Sequence, residues 1–289
     1  MTWVALALIA VATIPAADLL SRARWTWRTP RIAIILWQAL GLAWGLATIG
    51  ALLGFALQPY GDGVIGGLVA LPGGASLSLP RQAALLAGMA LAGSLIGMLL
   101  LAGVRVVRAR ARHRALLTLI AHRGGKGTLV VDHPAAAAYC LPGVRSRVVI
   151  SAGTLELLDS AELDAVLAHE FAHARERHDL VLLPFTSLPR TGLVARMLDS
   201  VALLIEMTAD DRALQNRPAK ELATALLRFA TAPSAGAPAC ALSALPEGGP
   251  VMARVQRLLH PVAQPLTIKA MALTSAVILT AAPLLLWTL

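Results

Sequence analysis

His169-Glu170-Phe-Ala-His173 places two imidazoles four residues apart, with a carboxylate directly after the first. On a helix His169 and His173 stand one turn apart on the same face. Two neutral imidazoles at that spacing can bind one Zn²⁺, and Glu170 reaches beside the ion to take a proton from a water. The chain has only seven histidines among 289 residues, so luck is a weak explanation for the pattern. A tetrahedral catalytic zinc also needs a third protein ligand and one open position. Downstream, residues 198–214 ("LDSVALLIEMTADDRAL") are helical in pattern and put Glu206 and Asp210 four apart on one face. Glu206 can supply the third ligand, and Asp210 can hydrogen-bond a ligand's outer edge. Glu206 follows Ala202-Leu-Leu-Ile, an expensive place for a carboxylate without a partner.

The elements around these residues belong to a membrane protein. The chain is 57% hydrophobic and 14% charged, with a mean hydropathy of +0.70, whereas a soluble domain carries about 25% charge. Four stretches are long enough for the roughly 20 mostly apolar residues a span requires: Met1 to Leu20, Ile32 to Leu57, Gln82 to Val104 and Ala270 to Leu289. The first lacks a basic leader region and runs straight into Arg22, Arg24, Arg28 and Arg31, the flank of a span rather than of a signal peptide. Arginine also sets the orientation, because basic loops stay cytoplasmic. Residues 21–31 and 105–114 are Arg-rich, while the Gly-rich 59–80 loop has neither Lys nor Arg. The expected layout is a plasma-membrane protein with both termini outside and residues 105–265 inside. Trp3, Trp25, Trp27 and Trp287 fall near span ends, and Trp37 and Trp44 fall within a span, where helix packing is expected.

Much of the net charge of +9 is accounted for by these juxtamembrane arginines, which suit anionic lipid, so no direct nucleic acid is expected. Cys140 and Cys240 both fall in the cytoplasmic segment, where a disulfide is disfavoured. Three domains follow: spans and short loops over 1–104, a catalytic segment over 105–265, and a last span over 266–289. Within the catalytic segment, "GTLVVDHPAAAAYCLPGVRSRVVIS" reads as two or three short strands. Asp159 with Glu162 then opens the helix that carries the histidines. The run "DLVLLPF" after that helix is too short to span, and the Pro/Ala/Gly stretch from Thr231 to Pro250 reads as a flexible loop, for which a plain spacer is the commoner fate and a self-cleavage or gating segment the alternative.

His169-Glu170-x-x-His173, Glu206-Met-Thr-Ala-Asp210-Asp211, "AAYCLPGVRSRVVIS" and "RVQRLLHP" before the last span, taken in order over nearly the whole chain, resemble the antirepressor membrane zinc metallopeptidases, typified by the β-lactam-sensing signal transducers. The resemblance implies a polytopic α-helical membrane protein of four spans, with a cytoplasmic α+β gluzincin-type zinc-peptidase domain between spans three and four. It implies a zinc metalloendopeptidase in which His169, His173 and Glu206 hold Zn²⁺, Glu170 is the general base and Asp210 supports a ligand. Asp179 falls where related sequences often keep an Asp, as a second supporting residue. His178 is a candidate oxyanion stabiliser beside the commoner reading of an exposed helix-end histidine. Ala138, Tyr139 and Cys140 would form an edge strand that pairs with an extended peptide substrate.

The substrate implied is a cytoplasmic transcriptional repressor, or the chain itself, in a signalling pathway. The chain departs from the long members: it has no Ser-x-x-Lys and no extracellular penicillin-binding sensor after the fourth span, so direct acylation by a β-lactam is not expected. Two other readings use the same residues. One is a membrane quality-control or prenyl-protein-type protease. The other is a non-catalytic receptor that sequesters a repressor, against which an intact Glu170 weighs. Partners on any of these readings are a protein or peptide, the lipid bilayer and, compatibly, further copies of the chain.

Overall fold

The computed structural model describes residues 2–61, 63–70, 76–143, 146–215, 217–232 and 249–289. Its contacts divide the chain into two compact units, one of residues 1–101, 187–201 and 264–289, the other of residues 102–186 and 202–263.

The first unit is helical: α1 (Thr2–Arg22), α2 (Pro30–Leu57), the short α3 (Gly63–Ala70), the first part of α4 (Leu79–Ile120) and α11 (Leu266–Thr288). By length and composition α1, α2, α4 and α11 are each able to cross a membrane. Small residues dominate the buried side of α2, including Ala39, Ala43, Ala47, Gly50 and Gly54, which lets neighbouring helices approach closely. At Gly50 the indole of Trp287 occupies the space a Cβ would need, and its Nε1 donates to the Leu46 carbonyl at 3.0 Å. Trp37 is fully buried, in keeping with a place inside a span. The helix that carries the third apolar stretch does not stop at Val104. Instead α4 continues through Arg105–Arg114 to Ile120, because the Ala, Leu and Arg residues after Gly103 are strong helix formers uninterrupted by Gly or Pro.

The second unit builds four strands and the helices that carry the polar cluster. The sheet order is β1 (Ala121–Arg123), β2 (Leu129–Val131), β4 (Arg147–Ser151), β3 (Ala138–Leu141). β4 runs parallel to β2 and antiparallel to β3, with Tyr139 opposite Val149, so β3 forms one edge. The strand β1 was not expected, since "AHR" has no β-rich character. It pairs with β2 across a turn closed by the Gly124 amide to the Thr128 carbonyl, 3.0 Å.

After β4 come α5 (Ala152–Leu157), α6 (Ser160–Glu176), α7 (His178–Thr186), α8 (Gly192–Ala213), α9 (Ala219–Thr231) and α10 (Gly249–Leu259). Asp159 caps α6 by accepting from the amides of Ala161 and Glu162, both 2.9 Å, while Glu162 accepts from the Asp159 amide at 3.1 Å. This is the expected capping box. Val148, Ile150, Ala165, Val166, Leu222 and Val255 make the core between sheet and helices. "DLVLLPF" lies within α7, with Phe185 buried. Most of the Thr231–Pro250 stretch, with Cys240, lies outside the described residues.

Candidate active site

The helix α6 lacks Gly and Pro, so His169, Glu170 and His173 keep ideal helical spacing, and His169 and Glu170 are buried. α8 brings up Glu206 and Asp210. One ligand atom from each of His169, His173 and Glu206 lies within 4.8 Å of the others. The two Nε2 atoms are 3.0 Å apart, and Glu206 Oε2 and Oε1 lie 3.2 Å from His169 Nε2 and 3.4 Å from His173 Nε2. Two imidazole nitrogens and one carboxylate oxygen converging from two helices match the donor set of a zinc site with an open fourth position. Lone pairs brought this close need a proton or a cation between them.

The outer nitrogens are held as well. His169 Nδ1 is 2.9 Å from Asp210 Oδ1, an ion-pair contact without hydrogen-bond alignment. Arg254, a residue the sequence reading did not single out, then anchors Asp210 by donating from Nε (2.9 Å) and Nη2 (2.6 Å). Its Nη1 lies 3.0 Å from Glu206 Oε2, an ion-pair contact without hydrogen-bond alignment. Arg254 is fully buried on α10 among Val251, Val255 and Leu258. The signal was present: an arginine at helical spacing within an apolar stripe must find a partner when that stripe is buried. Next to it, Arg257 donates to Asp211 at 2.8 Å.

Charge in this enclosure is strongly redistributed. Burial raises the Asp210 carboxyl, but the Arg254 guanidinium outweighs it and holds the group at about 2. Glu206 is likewise held well below the usual carboxylate range, burial being overcome by His173 and Arg254. Burial lowers His169, yet hydrogen bonds to Asp210 and Glu206 raise it to about 9. A cation competes for the same lone pairs, so metal binding would release protons. Glu170 is pushed up to about 7, chiefly by burial. Neither of its carboxylate oxygens completes a hydrogen bond of good geometry among the described residues.

Of the two further candidates, Asp179 lies away from the cluster and His178 lies against it. Asp179 meets Arg110 of α4 at 2.8 Å rather than a candidate ligand. His178 is buried rather than exposed, with its Nδ1 2.9 Å from His173 Nδ1. Ala138, Tyr139 and Cys140 lie on the edge strand β3, packed near α6. The Tyr139 hydroxyl turns to His113 Nε2 at 2.6 Å, on the side of the sheet occupied by Leu117.

A family model described as peptidase family M48 matches residues 107–275, more than half the chain. The chain belongs to peptidase family M48. M48 enzymes are zinc metallopeptidases, and the matched region of this M48 chain encloses every residue of the cluster. Antirepressor membership is a finer assignment than that match makes. No curated protein and no solved structure matches the chain.

Proposed function

We propose that this M48 chain is an integral-membrane zinc endopeptidase, with His169, His173 and Glu206 as metal ligands, Glu170 as general base and Asp210 as support. The observation that carries the proposal is the convergence of three ligand atoms within 4.8 Å beside a buried Glu170 whose carboxylate is pushed up to about 7. When bound, zinc supplies a Lewis acid that polarises the scissile carbonyl and acidifies a water. Glu170 accepts that water's proton and passes it to the leaving amine; an acidity near neutral suits both transfers. The edge of β3 receives the substrate as an added strand, which reads main chain before side chains. Asp210, 2.9 Å from His169 Nδ1, orients that ring with Nε2 towards His173 and Glu206, the residues that would hold the metal with it.

Arginine bias argues for residues 105–265 on the cytoplasmic side and both termini outside. The substrate is then a cytoplasmic protein. Motif order and span layout favour a transcriptional repressor, or the chain itself. A membrane quality-control or prenyl-protein-type protease is the second reading, favoured by the Glu206-x-x-x-Asp210 pairing within an M48 match.

The test compares newly formed protein N-termini in host cells making wild type or Glu170→Ala, with and without cell-wall stress. A repressor fragment seen only with wild type supports the first job, and fragments of unfolded membrane proteins support the second. In purified protein, Glu170→Gln should keep its zinc and lose cleavage by about 10²- to 10⁴-fold, the usual worth of a general base. Cleavage unchanged by Glu170→Gln would refute the proposed mechanism.

A further inference from the structure

Both candidate histidine ligands are held from behind, but by different groups. His169 has the carboxylate of Asp210 at its Nδ1. Among the described residues no carboxylate is recorded at His173 Nδ1; it faces the Nδ1 of His178 at 2.9 Å, the two rings crossing at 84° with centroids 4.8 Å apart. His178 is 5% exposed, and its other nitrogen, Nε2, lies 3.4 Å from Glu176 Oε2.

We infer that His178 is the positioning residue of His173, an imidazole doing for the second ligand what Asp210 does for the first. The inference rests on the zinc-peptidase reading above. Proton counting gives the arrangement. A ligand imidazole that offers its Nε2 lone pair must carry its proton on Nδ1. Two facing Nδ1 atoms can hydrogen-bond only if one is protonated and the other bare. His173 Nδ1–H therefore donates to His178 Nδ1, and the His178 proton sits on Nε2, towards Glu176. One tautomer of His178 thus selects the metal-binding tautomer of His173 and fixes its ring.

The backbone explains how a residue only five positions on can reach this nitrogen. Arg177 ends α6 in the left-handed region (φ 49°, ψ 46°), and its amide donates to the His173 carbonyl. The chain reverses there, and α7 begins at His178, returning its ring beneath the last turn of α6.

The test measures zinc affinity of the full-length protein in detergent by competition with a chromophoric chelator, for wild type, His178→Phe and His178→Asn. Asn carries a carbonyl oxygen where Nδ1 stood, whereas Phe fills the ring's space without an acceptor. Loss of a group supporting a metal ligand weakens binding by about 10- to 100-fold. Phe should show that loss, with a changed visible spectrum of the cobalt-loaded protein, and Asn should stay close to wild type. A purely space-filling histidine would give the reverse order. Phe binding as tightly as wild type, or Asn as weakly as Phe, overturns the inference while leaving the zinc site intact. Wild type that binds no zinc, or His173→Ala that binds it as wild type does, overturns the zinc-peptidase reading itself.

Discussion

Arg254 brings a full charge into a place with no solvent, and Asp210 answers it with two hydrogen bonds. Removing one member of such a pair strands the other, at a typical cost of about 3–5 kcal/mol, while replacing both by neutral groups of similar size costs far less. Arg254→Met should therefore lower the unfolding midpoint sharply, and Arg254→Met with Asp210→Asn should recover most of it. Equal damage in the single and double variants would show that the pair acts only through packing. Asp210 also sets an acid limit. Its native carboxyl sits at about 2 against an ordinary 3.8, so the folded form binds the proton less readily than the unfolded one. The resulting stability, roughly 2 kcal/mol by linkage, is fully present above pH 3.8 and is lost as pH falls towards 2. Denaturant melts of metal-free protein across that window should show the decline in wild type and a flatter one in Asp210→Asn. At this scale His169, Glu170, His173, Glu206 and Asp210 were legible because helical spacing alone aligns them in two pairs of turns. Arg254 was not, since 44 positions separate it from Asp210 and only its apolar stripe hinted at burial.

The elements that aim these side chains turn on one backbone conformation. Arg177 is the only described non-glycine residue with positive φ, and left-handed geometry costs an L residue about 1–2 kcal/mol. Glycine pays little there and a β-branched residue pays most. Arg177→Gly should melt at or above the wild-type temperature with zinc affinity retained. Arg177→Val should melt lower and bind zinc more weakly, because a displaced α7 carries His178 away from His173. Wild-type zinc affinity in Arg177→Val would mean that the ring pair does not depend on this turn. The capping box at Asp159 and Glu162 was legible because it is local, two side chains serving amides three residues away. β1 was not, because Ala121–Arg123 owes its strand to the neighbour β2 rather than to its own residues. Asp179 shows the limit of motif position. One residue after His178, and past the same turn, it reaches Arg110 instead of a ligand.

On the scale of the whole molecule, the four apolar helices were readable from composition, since nothing else needs so many consecutive apolar residues. Their ends were not, because helix propensity ignores the membrane boundary. α4 has 42 residues, about twice what a span uses, and its second half carries five arginines between Arg105 and Arg114. On the proposed topology that half projects into the cytoplasm, and its guanidinium groups attract anionic inner-leaflet lipid. The same topology, argued from charge alone, assigns the 59–80 segment, with neither Lys nor Arg, to the outer face. Val69 and Leu119 are both strongly exposed, and in the sequence the apolar half of α4 separates them. In a background with Cys140 and Cys240 replaced, Val69→Cys should react with a membrane-impermeant maleimide on intact cells, whereas Leu119→Cys should react only after permeabilisation. The reverse pattern would place the candidate zinc site outside the cell, remove every cytoplasmic protein from its reach, and leave proteins of the outer face as substrates.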